Sequence, residues 1–336
     1  MTRQGRARWE RLVWIAAGLL TAGCGDGPAS RSPAPRRNPP ASTRSAPSPG
    51  STASTATEMR QLRLHVLEDV TMEVHYLEGR TVSLRPDLPV VLDDKESFWI
   101  DVESAETFVD YESLSRLMNE YVFAFSGAPV SGLEISQEED ADQKDLVELK
   151  GHLTAALGTP FEIEGRPEVT PEGGLRIRTT DIQAMDIEVE GLLDLLGVEA
   201  EDLIPSLEER GVGIEGNDVI LLLDRLMPPP RISGRATSVQ VTPEGLILRL
   251  GDERSGGSSG VSSGNYLYYQ GGTIRIGRMT MTDADLLILD QEPNDPFEFS
   301  ADRLNEQLQA GYAKLQPDGG LVMHVPDLGT TGKPVP

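Results

Sequence analysis

The chain has 336 residues, with 54 acidic side chains against 30 lysines and arginines, a net charge of −24, and a single cysteine. So acidic a balance is repelled by nucleic-acid phosphates and by anionic lipid headgroups, which argues against nucleic acid as a partner and leaves any lipid to be recognised through its acyl chains. One cysteine excludes a disulfide framework within the chain.

Met1 to Arg11 holds four arginines and one acid, and the apolar run Leu12–Leu20 follows. That run is too short to span a bilayer core of roughly 30 Å and reads as the h-region of an export signal. It ends in Leu20-Thr21-Ala22-Gly23-Cys24, which resembles a bacterial lipoprotein signal, although Thr21 occupies the slot where the usual pattern has leucine. The resemblance implies a signal peptide over 1–23 and lipidation of Cys24; a secretory signal with an accidental cysteine is the competing reading. If Cys24 is the anchor, the mature domain has no thiol for a zinc site or a cysteine nucleophile.

Residues 24–58 are Pro, Ser, Thr and Ala with four arginines and hardly an apolar side chain. Such a composition cannot offset its ordering entropy, so a disordered tether is expected there. Residues 1–58 carry eight arginines against Glu10, Asp26 and Glu58, so a net charge of about −29 falls on residues 59–336. The expected protein is exported and held in the bacterial cell envelope by a lipid, on the periplasm-facing leaflet or the cell surface.

From Met59 the chain mostly alternates with period two. Leu62, Leu64 and Val66, then Val70, Met72, Val74 and Tyr76, predict strands; Glu78-Gly79-Arg80 reads as a turn before Thr81–Leu84. Phe98, Ile100 and Val102 continue the pattern. Leu149, Gly151, Leu153, Ala155 and Leu157 predict one face of a long strand, and Phe161 and Ile163 one face of the next. Leu114, Leu117, Met118, Tyr121 and Val122 form a helical stripe. A second helix is expected from an N-cap at Ser300, with Phe299 and Leu304 as a staple and Leu304, Leu308, Tyr312 and Leu315 as its stripe. Shorter helices are expected at Leu192–Leu196 and around Asp202–Arg210. The fold class is therefore α+β: a long, mostly antiparallel curved sheet packed on one or two amphipathic helices.

Val-Thr-Pro-Glu-Gly occurs at 169–173 and at 241–245, and Gln316–Leu321 is close to a third copy. Proline presets φ, the acid suits the next place, glycine accepts positive φ, and an alternating strand follows each copy, so these are hairpin corners.

Several patterns fail on context. Ser258 and Ser262 match Gly-x-Ser-x-Gly within a Gly/Ser run, without the strand-to-helix turn of a nucleophile elbow. Gly211–Gly216 matches a dinucleotide fingerprint but follows a helix and opens a strand, the reverse of the required order. The run Glu138–Asp142 lacks the glycine and distal glutamate of an EF-hand loop. His65 and His75 read as wet-face residues of neighbouring strands. No paired-carboxylate site emerges from Asp283, Asp285 and Asp290. No catalytic residue, metal site or cofactor is indicated.

From Asp110 to Gly251 an amphipathic helix leads into long strands, "GLLDLLG" interrupts, "DRLMPPPRISGR" re-enters and "VQVTPEGLILRLGD" closes. This grammar resembles the bacterial LmeA-like family of phospholipid-binding proteins and, more distantly, the TULIP superfamily. The segment Pro317–Asp327 is similar to the ends of other exported sequences. The likeness implies segments 59–109, 110–251 and 265–336 and an apolar groove for acyl chains. Its lining is expected from Leu114, Leu117, Met118, Tyr121, Leu149, Leu153, Leu157, Phe161 and Ile163, which would serve equally well as a dry core. The expected partner is a lipid or other apolar ligand, bound without chemistry. The alternative is an adaptor that engages another envelope protein through a sheet edge or its acidic surface.

Overall fold

The computed structural model describes residues 53–138, 144–154, 158–184, 207–252 and 264–328. They fall in one compact unit, Pro47–Pro336. The signal segment, Cys24, Leu157, the helix expected at Leu192–Leu196, and Ser258 and Ser262 lie outside the described residues.

β1 (Ser54–Leu67), β2 (Val70–Ser83), β3 (Val90–Val91) and β4 (Phe98–Asp110) come first, then α1 (Tyr111–Leu117) and a π-helical turn, Met118–Val122. β5 (Val130–Gln137), β6 (Val147–Leu153), β7 (Thr159–Val169), β8 (Leu175–Ala184), β9 (Val212–Glu215) and β10 (Asp218–Leu221) form the middle. After the single-turn α2 (Leu223–Leu226) come β11 (Arg231–Ser233), β12 (Ala236–Val241), β13 (Gly245–Gly251) and β14 (Tyr266–Gln270). β15 (Thr273–Ile276), β16 (Met279–Thr282), β17 (Asp285–Asp290) and β18 (Phe297–Phe299) follow, and α3 (Leu304–Ala310), β19 (Tyr312–Leu315) and β20 (Leu321–Val325) close the chain.

The fold is α+β, dominated by large, mostly antiparallel curved sheets. The larger sheet has the order β12-β13-β4-β2-β1-β14-β17-β20-β19, with β11 parallel to part of β4 and β18 parallel to part of β1. Its long strands change neighbours along one edge. Ala56–Arg60 of β1 pairs with β14 and Leu62–Leu64 with β18, and the bend between them is Gln61, at φ 50°. Strands from residues 59–109 and 265–336 thus share one sheet. Six strands, β5-β6-β7-β8-β10-β9, make the second sheet, and β16-β15-β3 a small third one.

All three Pro-containing corners are hairpin turns. They join β7 to β8, β12 to β13 and β19 to β20, and in each a backbone bond closes the loop: Thr170 N–H to Gly174 O, Thr242 N–H to Gly245 O and Gln316 N–H to Gly320 O. The first two corners also hold other elements in place. Arg235 lies over Gly173 and donates to Pro171 O, while Ala236 N–H donates to Gly173 O, which ties the second sheet to β12 of the first. At the second corner the Tyr111 hydroxyl donates to Thr242 O at 2.7 Å and anchors the start of α1. Burial, with the nearby Glu244 charge, pushes that phenol up to about 12.

Three expectations need correction. Ser54–Glu58 belong to β1, not to the tether: Thr55, Thr57 and Glu58 are buried and paired with β2 and β14. There is no turn at Glu78–Arg80, because β2 runs straight through to Ser83. Gly79 is needed instead for a register shift against β4, where a Cβ would stand 2.1 Å from Asp101 O. The C-terminal helix starts at Leu304, not after a cap at Ser300, and stops at Ala310. Tyr312 and Leu315 leave its stripe for the edge strand β19, since Gly311 is extended and packs against His324 O.

The core of the larger sheet is nearly filled. Leu62, Val74, Ala105, Leu286 and Phe297 are fully buried, at roughly 1.5–3 kcal/mol for each large side chain removed from water. Its wet face carries a continuous chain of charges: His65, Glu298, Arg63, Glu73, His75, Glu106 and Arg249, from β18 to β13. Burial works against the Glu298 carboxylate, but hydrogen bonds from His65 and Arg63 outweigh it and hold its pKa below the usual range. The hydrogen bond to Glu298 raises His65 in turn.

Candidate functional site

The second sheet is organised around α1. Asp110 caps the helix by accepting the Ser113 N–H at 2.7 Å. The helix then zips onto edge strand β5 with two polar side chains. Ser115 Oγ accepts the Ile135 N–H at 2.8 Å, and Asn119 both donates to Leu133 O and accepts Leu133 N–H, like a missing strand. A sheet edge is thereby covered. Within the same stretch β5 has a bulge around Gly132, at φ 60°, after which Leu133 is buried. The helix widens to a π turn at Met118–Val122, a device that recurs at functional sites. Arg210 fastens the end of that turn, donating to Tyr121 O at 2.6 Å with its guanidinium 4.9 Å from the Phe125 ring centre.

Between this helical lid and the sheet lies a cavity of about 150 Å³. Leu114, Met118 and Phe123 line it from the helical side. Val130, Leu133, Ile135, Val147, Leu149, Phe161, Ile163, Gly165 and Ile177 line it from β5 to β8. Leu207, Val212, Ile214, Val219, Leu221 and Leu246 complete it. None of these side chains is polar. A dry cavity of this size, lined by Leu, Ile and Phe, is known to take up a benzene-sized apolar guest.

Of the residues predicted from sequence, Leu114, Met118, Leu149, Phe161 and Ile163 meet in this cavity. Leu153 is buried, and Tyr121 half-buried, in the cluster around it. Leu117 is buried but does not line it. The sequence reading missed the β5 side chains, because the bulge breaks their period. It also missed Val212, Ile214, Val219 and Leu221, whose alternation on either side of Gly216-Asn217 was the available signal. β9 and β10 form a hairpin there, with Gly216 at φ 61°.

Every lysine and arginine on the six strands and α1 stands within 3.0 Å of a carboxylate. Lys150 pairs with Glu148, Arg166 with Asp145, Arg176 with Glu215, Arg178 with Glu168 and Arg116 with Glu112. A smaller apolar cavity of about 60 Å³ lies under the Met227–Pro230 strap of the larger sheet, beside the Lys95–Asp302 ion pair. Among the described residues no group of three or more His, Cys, Asp or Glu is placed to hold a metal, and no helix is long and apolar enough to cross a membrane.

Fold and site together define a mostly β, α+β protein with an apolar cavity roofed by an amphipathic helix. No protein-family model, curated protein or solved structure matches the chain.

Proposed function

We propose that the chain is an exported, lipid-anchored envelope protein that binds a lipid or another apolar ligand under α1 and catalyses no reaction. The observation that carries this reading is the cavity: eighteen lining residues supply no polar side chain, whereas a site for chemistry needs convergent polar or titratable groups. The likeness of residues 110–251 to LmeA-like phospholipid-binding proteins points the same way, and the basic-apolar-cysteine order of residues 1–24 supports the anchor at Cys24.

The test is native mass spectrometry on the full chain carrying Cys24→Ser, purified without detergent from its own envelope. A co-purifying apolar molecule near one per chain is expected. A ligand-free mass that takes up no neutral fluorescent hydrophobic probe overturns the reading. Release of the Cys24→Ser chain from the membrane fraction is expected if the anchor is real.

A second reading, an adaptor for another envelope protein, draws support from β19. This edge strand of the larger sheet is exposed throughout, with Leu315 at 76% and Tyr312 at 42% exposure. Exposed edges are templates for strand addition. Cross-linking in the native envelope, with loss of the adduct in Leu315→Lys, would favour it.

A further inference from the structure

We propose that the space under the Met227–Pro230 strap is a second binding site, which takes a small apolar group carrying one hydrogen-bond acceptor and holds that acceptor on the Tyr269 hydroxyl. This site belongs to the larger sheet and stands whether or not the cavity under α1 holds a ligand.

β14 lies between β1 and β17, with Tyr269 opposite Thr57 on one side and Leu286 on the other, so its side chain rises from the middle of the sheet. Period two puts Leu267 and Tyr269 on one face, and both line this cavity with Met59 and Ile288 of the neighbouring strands. Tyr266 and Tyr268 face the other way, where the Tyr266 hydroxyl donates to Glu58 Oε1 at 2.5 Å. Tyr269 has no such bond. It is only 5% exposed, yet its hydroxyl has no hydrogen-bond partner among the described residues. Burial alone pushes this phenol well above its ordinary pKa, so it remains a proton donor.

A buried tyrosine ordinarily finds a partner for its O–H, and an exception calls for a physical account. The oxygen is not sealed in. Among the described residues the enclosed, unpartnered side-chain atoms are Asp93 Oδ1, Ser104 Oγ, Arg176 Nε and Thr179 Oγ1. The Tyr269 oxygen therefore keeps an accessible face, and the open space that Tyr269 borders is this cavity.

Its size and lining decide what fits. About 60 Å³ exceeds the roughly 10–15 Å³ that one water needs and is well below the roughly 150 Å³ of a dry cavity that holds benzene. A water there needs roughly two to four polar partners. The side chains of Phe98, Ile100 and Phe299 offer none, and Pro228, Pro229 and Pro230 have no N–H. The charged side chains of the lining are already engaged, Lys95 with Asp302 at 2.6 Å and His65 with Glu298. A plain hydrocarbon leaves the phenol unpaired. A group with a single acceptor, such as the carbonyl of a methyl ketone, pairs it and buries its remaining surface against carbon.

The experiment titrates 2-butanone, labelled with ¹³C at the carbonyl, and its hydrocarbon isostere 2-methyl-1-butene into the full Cys24→Ser chain. Tyr269→Phe keeps the ring and removes the donor. It is expected to weaken 2-butanone about tenfold, to move the bound carbonyl resonance upfield of its place in the parent chain, and to leave 2-methyl-1-butene binding and the thermal midpoint no lower. Ala301→Leu extends a side chain of the lining into the space and is expected to abolish 2-butanone binding; if it fails to fold, Tyr269→Phe decides. Ile163→Phe, which fills the cavity under α1, is expected to leave 2-butanone binding intact, so the two sites can fail separately. Binding of 2-butanone that is equal in Tyr269→Phe, or that survives Ala301→Leu and is lost in Ile163→Phe, overturns the proposal. No binding of 2-butanone overturns it too, and a lower midpoint in Tyr269→Phe would then mark the occupant as water only.

Discussion

The two large sheets are written in the same alternating code and end differently. In the eleven-stranded sheet the inner face is nearly filled: Leu62, Val74, Leu286 and Phe297 have almost no exposed surface, the small third sheet packs on it, and the cavity beside Leu304 measures about 60 Å³. In the six-stranded sheet the same kind of side chain surrounds a void roofed by a single helix with a π turn, and two glycines, Gly151 and Gly165, let side chains of its wall approach the backbone closely. At Gly151 a Cβ would come 2.7 Å from Leu133 Cδ2 and 2.9 Å from Phe161 Cζ, two side chains that line the cavity. Apolar periodicity specifies that a face is buried. Whether the burial is complete depends on what lies opposite.

The comparison breaks first at the backbone. Gly79→Ala, which drives a Cβ into Asp101 O, is expected to cost more than about 3 kcal/mol in denaturant unfolding, since neither strand of the larger sheet has room to give. Phe297→Ala in the same core is expected to cost about 3–5 kcal/mol, whereas Leu149→Ala on the cavity wall, already half-buried beside a void, should stay below about 2 kcal/mol. Equal losses would mean that the cavity is filled in solution. Adding volume should reverse the sign. Ala105→Leu overpacks the core of the larger sheet at a cost of about 1–3 kcal/mol, and Val130→Ile in the cavity should raise stability by up to about 1 kcal/mol.

The smallest effects are electrostatic and belong to the larger sheet. Burial raises Asp327 to about 6, although its carboxylate accepts the Glu298 N–H at 2.9 Å. The folded state therefore holds a proton that the unfolded state has released, and this group's contribution to stability falls as pH rises from about 4 to 6. Asp327→Asn keeps an acceptor for that N–H and should remove the fall, with a gain of about 1 kcal/mol at pH 7 in thermal melts. His65 has a dependence of the same sign at higher pH. Raised by Glu298, it contributes stability below its unfolded pKa near 6.5 and loses it as pH rises through the folded value. His65→Gln should therefore cost up to about 1 kcal/mol near pH 6 and less at pH 9.

Much of the architecture was legible because it follows from local chemistry. The three Pro-containing corners, the strands through Val70–Tyr76, Phe98–Val102 and Phe161–Ile163, and the Leu114–Val122 stripe all sit where alternation, turn residues and helical spacing put them. The errors share a cause. Gly79 and Gly311 look like punctuation in a linear reading, yet one serves a register shift inside a long strand and the other turns a helix into an edge strand that pairs with β20. Each depends on a partner strand distant in the chain. Five of the nine expected lining residues meet in the cavity, because a stripe facing a sheet must bury something. The β9–β10 and β5 walls were missed because strands this short, or bulged, carry too few alternations to register.

By itself the sequence determined an acidic, β-rich chain with hairpin corners, one amphipathic helix and a lone cysteine after a basic-apolar start, since composition and period are local properties. The tertiary structure decided that the first corner joins two sheets, that the second holds α1 in place, and that the face under α1 remains unfilled. Packing volume is a sum over side chains brought from six strands and a helix, and no local pattern contains that sum.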